Sequence, residues 1–90
     1  MAEIDVEPLD GDDYRVEVRD SSGSSRHRVT LPAETLEELG GGASAEELLE
    51  ESFRFLLERE PRSAILSRFE ISTITSYFPE YPEEIRSRTG

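Results

Sequence analysis

Three short runs of alternating apolar and polar residues fill the first third of the chain, and they constrain the fold more than any other feature. Apolar residues recur at every second position, as in the runs Ile4 and Val6, Tyr14, Val16 and Val18, and His27, Val29 and Leu31. This period places one side of a β-strand against a core and the other side in solvent. The turn-type segments Asp10-Gly11 and Asp20-Ser21-Ser22-Gly23-Ser24 separate the runs. The pattern predicts a three-stranded antiparallel β-meander over residues 3–31.

A helical pattern follows and predicts the layer that covers the apolar face of the sheet. A short helix is expected from Pro32 to Leu39, ended by three glycines. Ser44 and Glu47 form a capping-box pattern, and the helix that begins there should run to about Arg59. Its apolar face comprises Ala45, Leu48, Leu49, Phe53, Leu56 and Leu57. We therefore predict an α+β fold, with two to four helices packed on one face of the sheet, as one domain of residues 1–90 (meander 1–31, helical part 32–90).

The pattern of residues 63–85 is compatible with more than one structure. Ser63 and Ser72 can each begin a short helix, and Pro79 and Pro82 would end the second one. These helices would carry the apolar residues Ile65, Leu66, Phe69, Ile74, Tyr77 and Phe78. Residues 70–76 are also rich in β-branched side chains, which suit a strand. We predict helix here, with strand as the alternative.

The excess of acidic residues limits the classes of partner that the chain can bind. Asp and Glu number 21 against ten Arg, with no Lys, and the net charge is −11. A nucleic-acid backbone repels such a surface unless the arginines gather on one face. The chain has no cysteine, which excludes disulfides and thiolate chemistry, and no apolar run predicts a membrane span or a secretory signal. We expect a cytoplasmic location and no membrane partner.

Four arginines of the predicted meander, Arg15, Arg19, Arg26 and Arg28, share the polar face of the sheet and are the candidate for an anion patch. Residues 1–31 also hold eight acidic residues, and opposite charges on neighbouring strands pair across a sheet. We expect such pairing to neutralise the patch, which disfavours nucleic acid as a partner. A nucleic-acid-binding protein that uses these arginines, or residues 63–78 in a helix-turn-helix arrangement, is an alternative function.

His27 is the only histidine, and the alternation places it on the apolar face of the sheet. Because histidine can act as a general base or bind a metal, a small enzyme or enzyme subunit that uses His27 is a second alternative. The neighbouring sequence supplies neither a nucleophile nor a second ligand, so we prefer a half-buried structural histidine beside Arg26 and Arg28. The glutamates of the long helix lie on its solvated face, where no carboxylate is desolvated for catalysis. We predict no catalytic, cofactor-binding or metal-binding residues.

Six of the seven aromatic residues lie within residues 53–81. Phe55 falls outside the apolar face of the long helix, and Tyr77, Phe78 and Tyr81 add more aromatic surface than a short C-terminal segment easily buries. Aromatic side chains contribute much of the binding energy at protein interfaces. We predict that these four residues line a groove for a partner protein or the interface of a homodimer.

The segments Phe55-Leu56-Leu57-Glu58-Arg59-Glu60-Pro61 and Tyr77-Phe78-Pro79-Glu80-Tyr81, within residues 47–85, resemble small uncharacterised prokaryotic proteins. The order of sheet and helices is also similar to that of small antitoxins. The resemblance covers less than half of the chain and implies no catalytic residues. Taken together, the sequence favours a non-catalytic protein–protein interaction module, or a regulatory or antitoxin-like subunit, over an enzyme.

Overall fold

The alternating runs form strands and the helical patterns form helices in the computed structural model, which describes residues 2–89 and confirms an α+β fold. The first three strands are β1 (Glu3–Pro8), β2 (Asp13–Asp20) and β3 (Gly23–Thr30). Helices α1 (Ala33–Gly40) and α2 (Ala45–Arg59) follow. The remaining elements are a single 3-10 turn (Arg62–Ala64), the strand β4 (Arg68–Glu70), and the helices α3 (Thr73–Tyr77) and α4 (Tyr81–Thr89).

The predicted antiparallel meander is present in β1, β2 and β3. Its register aligns Val6 with Val16 and Val16 with His27, so the apolar positions of the three strands share one inner face. Val16 is fully buried, whereas Arg15 beside it is exposed on the outer face. Gly11 closes the first hairpin with φ of 62°, a conformation that glycine adopts without steric cost.

The sheet has a fourth strand, so the prediction of a three-stranded antiparallel sheet is wrong in number and direction. β4 pairs parallel with β3, with Phe69 beside Val29, and the strand order is β1-β2-β3-β4. The helix expected after Ser63 is reduced to the 3-10 turn. Helix α3 is present, but the Ser72 hydroxyl donates to Glu70 at 2.7 Å and does not cap it. Three residues are too few to show an alternating pattern, which is why the sequence did not reveal β4.

Helix α2 lies between the sheet and α4, and it is buried on both of these sides. It begins at the predicted cap, where the Ser44 hydroxyl accepts a hydrogen bond from the Glu47 N–H at 3.1 Å. Toward the sheet, the Phe53 ring lies 5.3 Å from the ring of His27 between centroids. Toward α4, the Ser52 hydroxyl lies 2.6 Å from the hydroxyl of Tyr81. The chain therefore buries two faces of α2, whereas the sequence predicted one.

Candidate functional site

The four aromatic residues predicted to bind a partner do not form one exposed surface. Phe55 and Tyr81 are 0% exposed, Phe78 is partly buried, and Tyr77 is 67% exposed. The prediction that all four line an interface is wrong for Phe55 and Tyr81. Phe55 lies on the second buried face of α2, and Tyr81, in the first turn of α4, packs against it. Only Tyr77 and the exposed part of Phe78 are accessible to a partner.

Phe55 and Tyr81 instead belong to an aromatic cluster between α2 and α4. The Phe55 ring lies 5.3 Å from that of Tyr81, and the Arg59 guanidinium covers Phe55 at 3.6 Å from its centroid. The Tyr81 hydroxyl bonds to Ser52, and burial raises its pKa to about 12. The Ser52 hydroxyl also donates to the Leu48 carbonyl at 2.7 Å. These satisfied, enclosed groups form part of the core.

The four sheet arginines are paired with carboxylates, as predicted. The closest contacts are Arg15 to Glu7 (2.8 Å), Arg19 to Asp5 (2.6 Å), Arg26 to Glu17 (3.5 Å) and Arg28 to Asp13 (2.7 Å). Hydrogen bonds from Thr30 and Arg28 hold the pKa of Asp13 below its usual value, so this carboxylate stays charged beside its arginine. The outer face therefore offers mostly neutralised arginines to an anion, which weakens the nucleic-acid alternative.

The second nucleic-acid candidate, residues 63–78, does not form a helix-turn-helix. A strand occupies Arg68–Glu70, where the motif requires a helix and a turn. Helix α3 has five residues, too few to lie along a major groove as a recognition helix does.

His27 is buried at 3% exposure, so the prediction of a half-buried histidine is wrong. Its Nδ1–H donates to the Leu66 carbonyl at 2.7 Å, and its Nε2 accepts from the Ser25 hydroxyl at 2.8 Å. Burial lowers the pKa of His27 below its usual 6.5, and the Arg62 guanidinium acts in the same direction, while the bond to Leu66 opposes them. The neutral ring therefore attaches the segment before β4 to the inner face of the sheet.

The contact between Ser25 and His27 is a pairing that the sequence interpretation missed. Both residues lie on the inner face of β3, two positions apart, so strand alternation alone would have identified the pair. A hydroxyl bonded to an imidazole, with a carbonyl on the second nitrogen, has the connectivity of an activated nucleophile. Burial makes this imidazole a weak base and leaves little access for a substrate. The arrangement is better suited to positioning Leu66.

An apolar groove of about 200 Å³ lies on the surface of the described chain. It lies between the C-terminal end of α2, the 3-10 turn, β4 and α3. Its lining residues are Leu56, Glu60, Ala64, Ile65, Leu66, Phe69, Thr73, Ile74, Tyr77 and Phe78. Leu66 and Tyr77 are the large hydrophobic residues that stay exposed, at 47% and 67%, and both lie in this groove. The sequence interpretation included Tyr77 and Phe78 in its site but missed Leu66 and Phe69.

The charges at the groove differ from those on the rest of the surface. Glu60 lines the groove, and Glu70 follows the lining residue Phe69 in β4. Within residues 2–89, neither of these carboxylates forms an ion pair, whereas most arginines of the chain do. Arg68, on the other side of Phe69, also lacks an ion pair among the described residues. Glu60 is therefore an unpaired carboxylate in the groove, whereas Arg68 and Glu70 lie with Arg28 on the outer face of the sheet.

No group of three His, Asp or Glu side chains within residues 2–89 is arranged to hold a metal ion. No helix in the same range is long and apolar enough to cross a membrane.

Comparison with known proteins gives no relative of this chain: no family model, curated protein or solved structure matches it.

Proposed function

We propose that this chain is a non-catalytic protein–protein interaction module and that the apolar groove is its binding surface. The observation that carries the proposal is the position of Leu66 and Tyr77, which lie in one groove while the other large hydrophobic residues of the described chain are buried or partly buried. Exposed apolar surface concentrated in one concave region is typical of a binding site. The aromatic Tyr77 also belongs to the residue types that dominate binding energy.

The size of the groove favours a protein side chain over a small molecule. Its volume of about 200 Å³ is below the ~300 Å³ at which small-molecule sites begin. One or two apolar side chains fit into such a space. The walls are mostly apolar, with few polar groups that would orient a metabolite, so we infer that a partner inserts an aliphatic or aromatic residue.

The partner segment is inferred to be basic. Glu60 lines the groove and has no arginine partner within the described residues, and the chain carries a net charge of −11. Opposite charge speeds the encounter of two proteins and sets their orientation, and added salt screens this attraction. We therefore expect a segment with an apolar anchor and neighbouring Lys or Arg residues.

The test is affinity capture from the native host with wild type and a Leu66→Ser/Tyr77→Ser double variant, followed by calorimetric titration of the captured protein after its purification. The control is Pro8→Ser, which removes an exposed apolar residue at the opposite edge of the sheet. We expect the double variant to bind at least about tenfold more weakly, Pro8→Ser to bind like wild type, and affinity to fall with salt. A protein captured equally by all three chains would contradict the groove as the site. Binding that is insensitive to salt would contradict the basic partner.

A catalytic function is the second candidate, and the contact between Ser25 and His27 favours it. A fluorophosphonate, which labels activated serines, distinguishes the two functions. The interaction module predicts no labelling of Ser25 in the folded protein. Labelling of Ser25 that disappears in His27→Gln would replace the interaction proposal with a hydrolytic one.

A further inference from the structure

The outer edge of β4 presents free backbone groups at two residues. The hydrogen bonds that join β4 to β3 include Arg28 N–H to Ser67 O at 2.8 Å and Ile71 N–H to Thr30 O at 2.9 Å. In a parallel ladder with this register, Phe69 also directs its N–H and C=O toward β3. Arg68 and Glu70 therefore direct their N–H and C=O groups away from the sheet. Both residues are exposed, so a further strand has access to this edge.

The sequence of β4, Arg68-Phe69-Glu70, is complementary to itself in the antiparallel direction. In a two-fold arrangement centred on Phe69, Arg68 of each copy lies opposite Glu70 of the other. These are the residues with outward backbone groups, so they form the hydrogen-bonded pairs, and the two Phe69 residues form the closer non-hydrogen-bonded pair. The backbone hydrogen bonds, the two pairs of opposite charge and the Phe69 pair therefore all form in the same register. We propose that two copies of this chain associate by antiparallel pairing of β4, which makes one continuous eight-stranded sheet.

The residues around Arg68 favour a second copy of the chain as the partner of this edge. Arg68 lies directly beside Arg28 in the register of β3 and β4, and Asp13, the carboxylate near both arginines, forms its ion pair with Arg28. Arg68 has no carboxylate partner among residues 2–89, although the chain is strongly acidic. Glu70 of a second copy would supply that carboxylate on the free side of Arg68. The two pairs related by the two-fold axis are identical, as a closed dimer requires.

The opposite edge of the sheet lacks this complementarity. The outer-face side chains of β1 are the acids Glu3, Asp5 and Glu7, and the strand ends at Pro8. Two copies of β1 would place carboxylates against carboxylates, and acidic or proline-containing edges resist pairing. The sheet therefore has one edge that opposes self-association and one that favours it.

Pairing through β4 also has a consequence for the groove. Because Phe69 lines the groove and would lie next to its counterpart, the two-fold axis brings two grooves together on the inner side of the extended sheet. The dimer does not depend on which protein occupies the groove, and it would make the assembly bivalent for that partner.

Sedimentation of charge variants tests the pairing. The variants are Arg68→Glu and Glu70→Arg, alone and in an equimolar mixture, at a salt concentration of about 0.15 M, which screens the repulsion between acidic copies. Each variant alone opposes like charges at both positions, and we expect association at least about tenfold weaker than in wild type. The mixture restores two opposite pairs and should associate as wild type does. Arg86→Glu, with the same change in net charge as Arg68→Glu and no carboxylate partner in the described chain, should leave wild-type association unchanged.

Hydrogen exchange provides a second measurement that does not depend on charge. The amides of Arg68 and Glu70 should gain protection as protein concentration rises, whereas those of Phe69 and Ile71, bonded to β3, should be protected at every concentration. A wild-type chain that stays monomeric throughout the series would overturn the proposal. The same applies if the single variants associate as well as wild type, or if the mixture fails to recover. Failure here leaves the Leu66 and Tyr77 results unaffected, so the two proposals are separately testable.

Discussion

Arginines on the outer face of the sheet and arginines at the aromatic cluster contribute to the structure in different ways. Arg19 bonds to Glu3 and Asp5 at 2.9 and 2.6 Å, yet its side chain is 46% exposed. Arg59 also pairs with Glu80 at 3.2 Å, but its guanidinium lies 3.6 Å from the centroid of Phe55 and shields an interior ring. Water competes with an exposed ion pair, whereas a guanidinium on a ring also covers apolar surface. The more numerous contacts of the outer face should therefore contribute less to stability than the cluster does.

The largest expected loss of stability is at Phe55. Replacement by Ala removes a fully buried ring, and we expect the free energy of unfolding to fall by about 3–5 kcal/mol, as measured for buried aromatic residues elsewhere. Urea denaturation measures the loss. Tyr77→Ala is the matched control, because the tyrosine is 67% exposed and its loss should leave stability nearly unchanged. Equal losses in the two variants would mean that the cluster is not part of the core.

An intermediate effect on stability is expected at His27, which is buried on the inner face of the sheet and forms two hydrogen bonds. Because burial lowers its pKa in the folded chain, the unfolded chain binds the proton more readily. Its contribution to stability is therefore complete above pH 6.5 and is lost as the pH falls toward the lower folded pKa. The slope for one proton is at most about 1.4 kcal/mol per pH unit.

Denaturation curves between about pH 7.5 and pH 5.5 show whether this histidine is responsible. We expect stability to fall with pH in wild type and to change much less in His27→Gln, since glutamine cannot take up the proton. The same pH dependence in both chains would exclude His27 as its source.

The smallest loss of stability is expected at Arg19, on the outer face of the sheet. Arg19→Ala removes its exposed ion pairs, and the shift in denaturation midpoint should be smaller than for either interior residue. The shift should shrink further as salt is added. Arg86→Ala is the control, because it changes net charge equally but loses a bond to the Glu38 carbonyl rather than to a carboxylate. A loss at Arg19 as large as that at Phe55 would refute the comparison of the two regions.

The meander and the long helix could be predicted because most residues there follow a local period. Val16 and Val18 show strand alternation, and Ser44 with Glu47 shows a helix start. β4 could not be predicted in the same way, since Phe69 pairs with Val29 forty positions earlier in the chain. A three-residue strand that depends on such a distant partner has no local signal.

The candidate site was predicted only in part, for a related reason. Tyr77 is exposed as expected, whereas Phe55 is buried because α4 folds back over α2. The periodicity of α2 describes one helix alone and does not show that a second layer will cover its other side. Leu66 was assigned to a helix, so its exposure beside the groove became evident only from the structure.

The parallel pairing of β3 with β4 has a consequence for the order in which this chain folds. The turns of the meander join neighbouring strands, whereas residues 31–67 separate the two parallel strands. Closing so long a loop costs more chain entropy, and contacts between distant residues form slowly. We expect the hairpins and α2 to be structured before β4 docks against Thr30. The groove, whose walls include β4 and α3, should then form in the last step, so a nascent chain acquires this groove only after its C-terminal segment has been synthesised.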